Sequence, residues 1–103
     1  MSLNDLSKRA QDIRHLYAEK EKSLYGKSWS REELMLGLIG DLGDLAKLIQ
    51  AKEGVRNIEN ADEKLGHELS DCLWSLLVLA NEYEINLEKE FFKTMDELET
   101  KLK

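Results

Sequence analysis

Leu34-Met35-Leu36-Gly37-Leu38-Ile39-Gly40-Asp41-Leu42-Gly43-Asp44-Leu45-Ala46-Lys47-Leu48-Ile49 decides the fold. Its large apolar residues fall nearly all the way round a helix, so that helix has to be buried on most sides. One subunit of this size offers too few partners for such burial, whereas a pair of subunits offers enough. The helix has a clear start. Ser30 is a good N-cap, and Glu33, three residues on, completes a capping box. It runs to about Lys52, where Gly54 supplies a C-terminal stop signal.

Working outward, the 103 residues contain no proline, so nothing forbids long helices on either side. Upstream, Leu6, Ala10, Ile13, Leu16 and Tyr17 recur at helical spacing and predict a helix from about Asn4 to Ser23, ended by Tyr25-Gly26-Lys27-Ser28. Downstream, residues 54–60 form a connector. Asn60 and Glu63 then look like a cap and its N3 partner for a third helix reaching about Tyr83. Its apolar seam reads Leu65, Leu69, Cys72, Leu76, Leu79 and Tyr83, the alternating four-and-three step of a bundle. Glu84-Ile85 leads to Asn86, the N-cap of a fourth helix running from Leu87 to the end. The expectation is all-α: a four-helix bundle in a single domain, 1–103, completed by homodimerisation.

Charge narrows the partners. A net charge of −6 repels polyanions, so a nucleic acid polymer is not the expected ligand. The longest apolar run, Leu76 to Ala80, is far too short for a membrane span. The polar N-terminus shows no signal peptide, and the expected location is cytoplasmic. The one cysteine, Cys72, lies in an apolar run and reads as a buried thiol.

Two acidic pairs interrupt the most apolar helices. Asp41 and Asp44 are three residues apart and share a helix face; Glu68 and Asp71 repeat the arrangement. Four carboxylates brought together repel one another, and something positive has to offset them. Lys47, three residues beyond Asp44, and Lys64, four before Glu68, could supply ordinary surface ion pairs. The other candidate is a metal, and oxygen-only ligands favour Mg²⁺, Mn²⁺ or Ca²⁺ over zinc. Spacing alone leaves both readings open. His67-Glu68-Leu69-Ser70-Asp71 lacks the second histidine of a zincin signature, and no Glu-x-x-His pair for a di-iron site exists. His67 reads as a polar-face residue.

At these residues the chain resembles the MazG-like nucleotide pyrophosphohydrolases of the all-α NTP pyrophosphatase superfamily. The pattern is E-x-x-E, a gap, then E-x-x-D. Here it runs through Leu38–Ala46 and His67–Trp74, with 23 residues between Asp44 and Glu68. Leu77-Val78-Leu79-Ala80 and Ile85-Asn86-Leu87-Glu88 are similar to the family's third helix and the start of its fourth. The resemblance implies Asp41, Asp44, Glu68 and Asp71 as metal ligands and catalytic residues. It implies Mg²⁺, with Mn²⁺ as an alternative, and a homodimer or dimer of dimers. The implied reaction cleaves a nucleoside triphosphate, NTP or dNTP, to the monophosphate and pyrophosphate, a house-cleaning of nucleotide pools. Aspartates replace both glutamates of the first motif, and the Lys-x-x-Asn-like element of the fourth helix is not intact in Phe92–Leu98. A nucleotide- or metal-binding module without turnover is the alternative. Lys52 and Lys93 are candidate phosphate contacts. Trp29 is a candidate stacking surface for a base, or else a staple at the helix entry.

Overall fold

The computed structural model describes all 103 residues. The chain is all-helical: α1 (Leu3–Tyr25), α2 (Arg31–Lys52), α3 (Ala61–Glu82) and α4 (Leu87–Leu102), with no strand. No helix is long and apolar enough to cross a membrane.

Local chemistry explains most boundaries. Ser30 and Glu33 make the expected capping box, each side chain bonding the other's backbone N–H at 3.1 Å. Two orphan donors of the first turn are thereby satisfied. A second capping box, between Ser2 and Asp5, starts α1 at Leu3, a residue earlier than its apolar periodicity indicated. Asn86 caps α4 by accepting from the Lys89 N–H at 3.1 Å. At the end of α2, Gly54 adopts φ +80°, and the Val55 N–H reaches back to the Gln50 carbonyl at 2.9 Å. The same closure ends α3, with the Ile85 N–H on the Ala80 carbonyl at 2.8 Å, but there Glu84 takes the left-handed position at φ +55°. Asn60 departs from expectation. It sits at φ +56° and joins α3 only through its carbonyl, which accepts from the Lys64 N–H at 3.1 Å.

The chain forms two compact units. In the first, residues 1–28 and 77–103, α1 lies against α4. Ser7 and Asn81 tie α1 to the end of α3 through two hydrogen bonds: the Ser7 hydroxyl donates to Asn81 Oδ1 at 3.0 Å, and Asn81 Nδ2 donates to the Ser7 carbonyl at 3.2 Å. Arg14 and Glu21, both buried, form a two-pronged ion pair along α1 with N–O distances of 2.9 and 3.1 Å. Two parallel bonds satisfy both ends of a pair that burial would otherwise penalise.

The second unit, residues 29–76, comprises α2, the connector and the first part of α3. Its buried residues include Leu34, Leu38, Leu48, Cys72 and Ser75. Here the leucine seam expected on α3 needs correction. Leu69 and Leu76 are exposed, and the covered stripe is Ala61, Leu65, Glu68, Cys72 and Ser75. Two polar residues thus occupy positions where a structural seam would place aliphatics. The leucines they displace form an exposed strip with Leu73. On α2, Met35, Leu36, Ile39, Leu42 and Ile49 are likewise exposed within a single chain, Leu36 by 66%.

Candidate metal centre

The second unit explains why polar residues hold the seam. On α2, Gly37, Asp41, Asp44 and Leu48 follow one another at steps of four, three and four, which keeps them on one stripe. On α3, Lys64, Glu68, Asp71 and Ser75 repeat that spacing. The two stripes meet in antiparallel register. The Ser75 hydroxyl donates to the Asp41 carboxylate at one end, Asp44 and Glu68 approach in the middle, and Leu48 and Lys64 line one groove at the other end.

Asp41, Asp44 and Glu68 each offer a carboxylate oxygen, and these oxygens all lie within 4.8 Å of one another. Asp41 and Glu68 are partly buried, while Asp44 is open to solvent. Asp71 stands outside this group of three. Its carboxylate is turned to His67, whose Nε2 lies 3.3 Å from Oδ2. His67, read from sequence as a polar-face residue, thus lies against the Asp71 carboxylate and lines the groove.

The electrostatics are those of an uncompensated acidic cluster. Burial pushes the Asp41 carboxyl above the ordinary carboxylate range, and the charges of Asp71 and Asp44 push it further. The Ser75 hydrogen bond opposes them. Glu68 is raised first by burial and then by Asp71, Asp41 and Asp44, with His67 opposing. Cys72, buried as expected, has its thiol raised by burial and then by the charges of Asp41, Glu68 and Asp71. Neither lysine that could have neutralised the cluster does so: Lys47 and Lys64 form no ion pair.

Glu68 supplies the test of what fits here. Its Oε2 is buried and has no hydrogen-bond partner. Buried polar atoms are normally satisfied, and an orphaned carboxylate oxygen is costly. The same carboxyl group belongs to the cluster with Asp41 and Asp44, and no lysine or arginine pairs with it. Three hard oxygen donors converging in this way fit a divalent ion such as Mg²⁺, Mn²⁺ or Ca²⁺. The shorter aspartates do not prevent the convergence.

The remaining sequence candidates are scattered. Lys52 is ion-paired to Asp62 beside the groove rather than in it. Lys93 is exposed on α4, in the first unit. Trp29, 49% exposed, lies against α2: its ring is 4.0 Å from where a Cβ on Gly37 would stand. Gly37 precedes Asp41 by one turn on the same stripe, so the staple and base-platform readings of Trp29 coexist.

A family model for the MazG nucleotide pyrophosphohydrolase domain matches residues 29–103. The chain belongs to this family. The MazG match covers α2, the connector, α3 and α4, and so contains every residue of the acidic cluster. Among curated proteins, the Gene 37 protein of Mycobacterium phage L5 is 31% identical over 70 residues, 64% of this chain. The chain spans about 60% of that relative's length. No solved structure matches significantly.

Ser75 is the residue that sequence reasoning passed over. Its signal was present: it lies four residues beyond Asp71 and continues the stripe of Lys64, Glu68 and Asp71. A serine in an otherwise apolar stretch of helix needs a partner, and Asp41 is that partner.

Proposed function

We propose that this MazG-family chain is a Mg²⁺-dependent pyrophosphohydrolase that cleaves nucleoside or deoxynucleoside triphosphates to the monophosphate and pyrophosphate. The observation that carries the proposal is the convergence of the Asp41, Asp44 and Glu68 carboxylates, one of which, Glu68, keeps a buried oxygen without a hydrogen-bond partner. When bound, Mg²⁺ or Mn²⁺ would neutralise triphosphate charge and polarise the scissile phosphoryl group.

The chain's own residues do the rest. Asp41, Asp44 and Glu68 hold the ion, and Ser75 fixes the Asp41 carboxylate from across the helix pair. Asp71, outside the three, is the carboxylate assigned to take a proton from the attacking water. His67 holds it in place. Trp29 offers a half-exposed aromatic face one helical turn from Asp41, suited to stacking a base.

The functional unit in this proposal is a homodimer or a dimer of dimers acting in the cytoplasm, with the whole of 1–103 as one domain. The exposed apolar strip of Leu36, Ile39, Leu42, Leu69, Leu73 and Leu76 supports subunit pairing, because an exposed strip of that kind is costly in water. The triphosphate is the small-molecule partner, and the net charge of −6 argues against a nucleic acid polymer.

The test is purified protein with Mg²⁺ and a panel of NTPs and dNTPs, assayed for pyrophosphate. Release of pyrophosphate with at least one, abolished by chelation, is expected. A folded protein that binds Mg²⁺ and turns over none of them would refute the enzyme and leave the binding-module reading.

A further inference from the structure

A groove of about 500 Å³ lies beside the acidic cluster. Asp44 and Glu68 line it, while Asp41 and Asp71 do not. Leu48 and Ile58 give it an apolar floor. Lys47, Lys64, His67, Asn60 and Glu63 form its walls. The connector contributes Ile58 and Asn60, and the two helices contribute everything else.

Charge distinguishes this groove from the rest of the unit. Lys47 and Lys64 project from facing helices and pair with no carboxylate, although Asp44 and Glu68 are their nearest acidic neighbours in helical spacing. The carboxylates are thus left for a cation, and the ammonium groups are left for an anion. With three carboxylates (Asp44, Glu63 and Glu68) against two lysines, the empty groove repels anions. A divalent ion on Asp44 and Glu68 reverses that sign. A ligand that meets both conditions is a metal-bound oligophosphate.

The order of features along α2 gives the ligand a direction. Trp29 packs at Gly37, the carboxylates stand at positions 41 and 44, and Lys47 and Leu48 follow. From position 37 to position 47 the helix rises about 15 Å, within reach of an extended nucleoside triphosphate. We infer that the groove between Lys47 and Lys64 receives the pyrophosphate end of the substrate, so that the α-phosphate lies at the carboxylates and the nucleoside points toward Trp29. This assignment rests on the metal-centre reading proposed above. It moves the phosphate-binding role from Lys52, which is committed to Asp62, to Lys47 and Lys64.

The test measures binding without turnover. Mn²⁺ binding to the full chain is first followed by the loss of the free-ion electron paramagnetic resonance signal. Inorganic pyrophosphate and a nucleoside monophosphate are then titrated calorimetrically into Mn²⁺-loaded wild type and the Lys47→Gln/Lys64→Gln variant. Both lysines are exposed, so the variant folds, and circular dichroism checks this. Pyrophosphate affinity should fall about tenfold or more in the variant. Monophosphate affinity and Mn²⁺ affinity should stay within about twofold. Unchanged pyrophosphate affinity, or an equal loss for the monophosphate, overturns the groove assignment while the metal centre stands. Failure of the wild type to bind Mn²⁺ at all overturns both.

Discussion

Replacing Asp41 by asparagine should shift stability in opposite directions with and without a divalent ion. In the metal-free protein the Asp41 carboxylate stands within 4.8 Å of oxygens from Asp44 and Glu68. Two unit charges at that separation repel by about 3.5 kcal/mol at an effective dielectric constant of about 20, and by about 0.9 kcal/mol in bulk water. Asp44 is solvent-exposed and the others only partly buried, so the lower end of that range applies. Asparagine removes both repulsions and keeps an oxygen to accept the Ser75 hydrogen bond. The expected gain is about 1–2 kcal/mol, which for a chain of this size raises the melting temperature by roughly 5–10 °C. With metal the order reverses. An ion at a hundred times its Kd stabilises the wild type by about 2.7 kcal/mol, and the variant, short of one anionic ligand, loses most of that. Thermal melts of both proteins at one protein concentration, in EDTA and in Mg²⁺ or Mn²⁺, decide the matter. A variant that melts lower than wild type in EDTA, or retains the full metal-induced rise, would show that Asp41 makes a structural ion pair and not part of a metal site.

Acidification should act on the metal-free protein in the same sense. Asp41 and Glu68 have folded-state pKa values above the ordinary carboxylate range, so the folded state takes up protons before the unfolded state does. Their contribution therefore makes the EDTA-treated protein more stable as pH falls from 7 toward about 5. Saturating Mg²⁺ should remove that gain, because protons then compete with the ion; denaturant midpoints at both pH values check it. Ser75→Ala should weaken Mn²⁺ binding about threefold to tenfold, by freeing a carboxylate that one hydrogen bond of ordinary strength now orients, whereas Ser75→Thr should restore it; equal affinities for all three proteins would remove Ser75 from the site. Leu36→Glu with Leu73→Glu should give a monomer by analytical ultracentrifugation under conditions where the wild type is a dimer. A wild type already monomeric at micromolar concentration would contradict subunit pairing on this strip.

Much of the architecture is legible in the residues because local rules set it. Ser30 with Glu33, Gly54 and Asn86 mark helix ends by satisfying backbone groups that any helix leaves open, and the structure uses all three. Asn60 reads as a side-chain cap, but asparagine serves equally well in the left-handed conformation it adopts. The α3 seam departs from its apolar periodicity for another reason. Apolar periodicity finds the greasiest stripe, and on α3 that stripe includes Leu69 and Leu76, both exposed in one chain. The stripe that faces α2 carries Glu68 and Ser75, two polar residues that no apolar periodicity marks. The Lys52 ion pair was not legible for a similar reason: its partner, Asp62, lies across the connector, where no spacing rule reaches.

The central claim is that Asp41, Asp44 and Glu68 jointly hold the ion on which triphosphate cleavage depends. A crystal structure with Mn²⁺ and an α,β-imido deoxynucleoside triphosphate, phased to show anomalous scatterers, tests it most directly. The account predicts a manganese peak within coordination distance of all three carboxylates and of the α-phosphate, with the terminal phosphates between Lys47 and Lys64. A fully occupied nucleotide whose manganese touches none of the three carboxylates would contradict it.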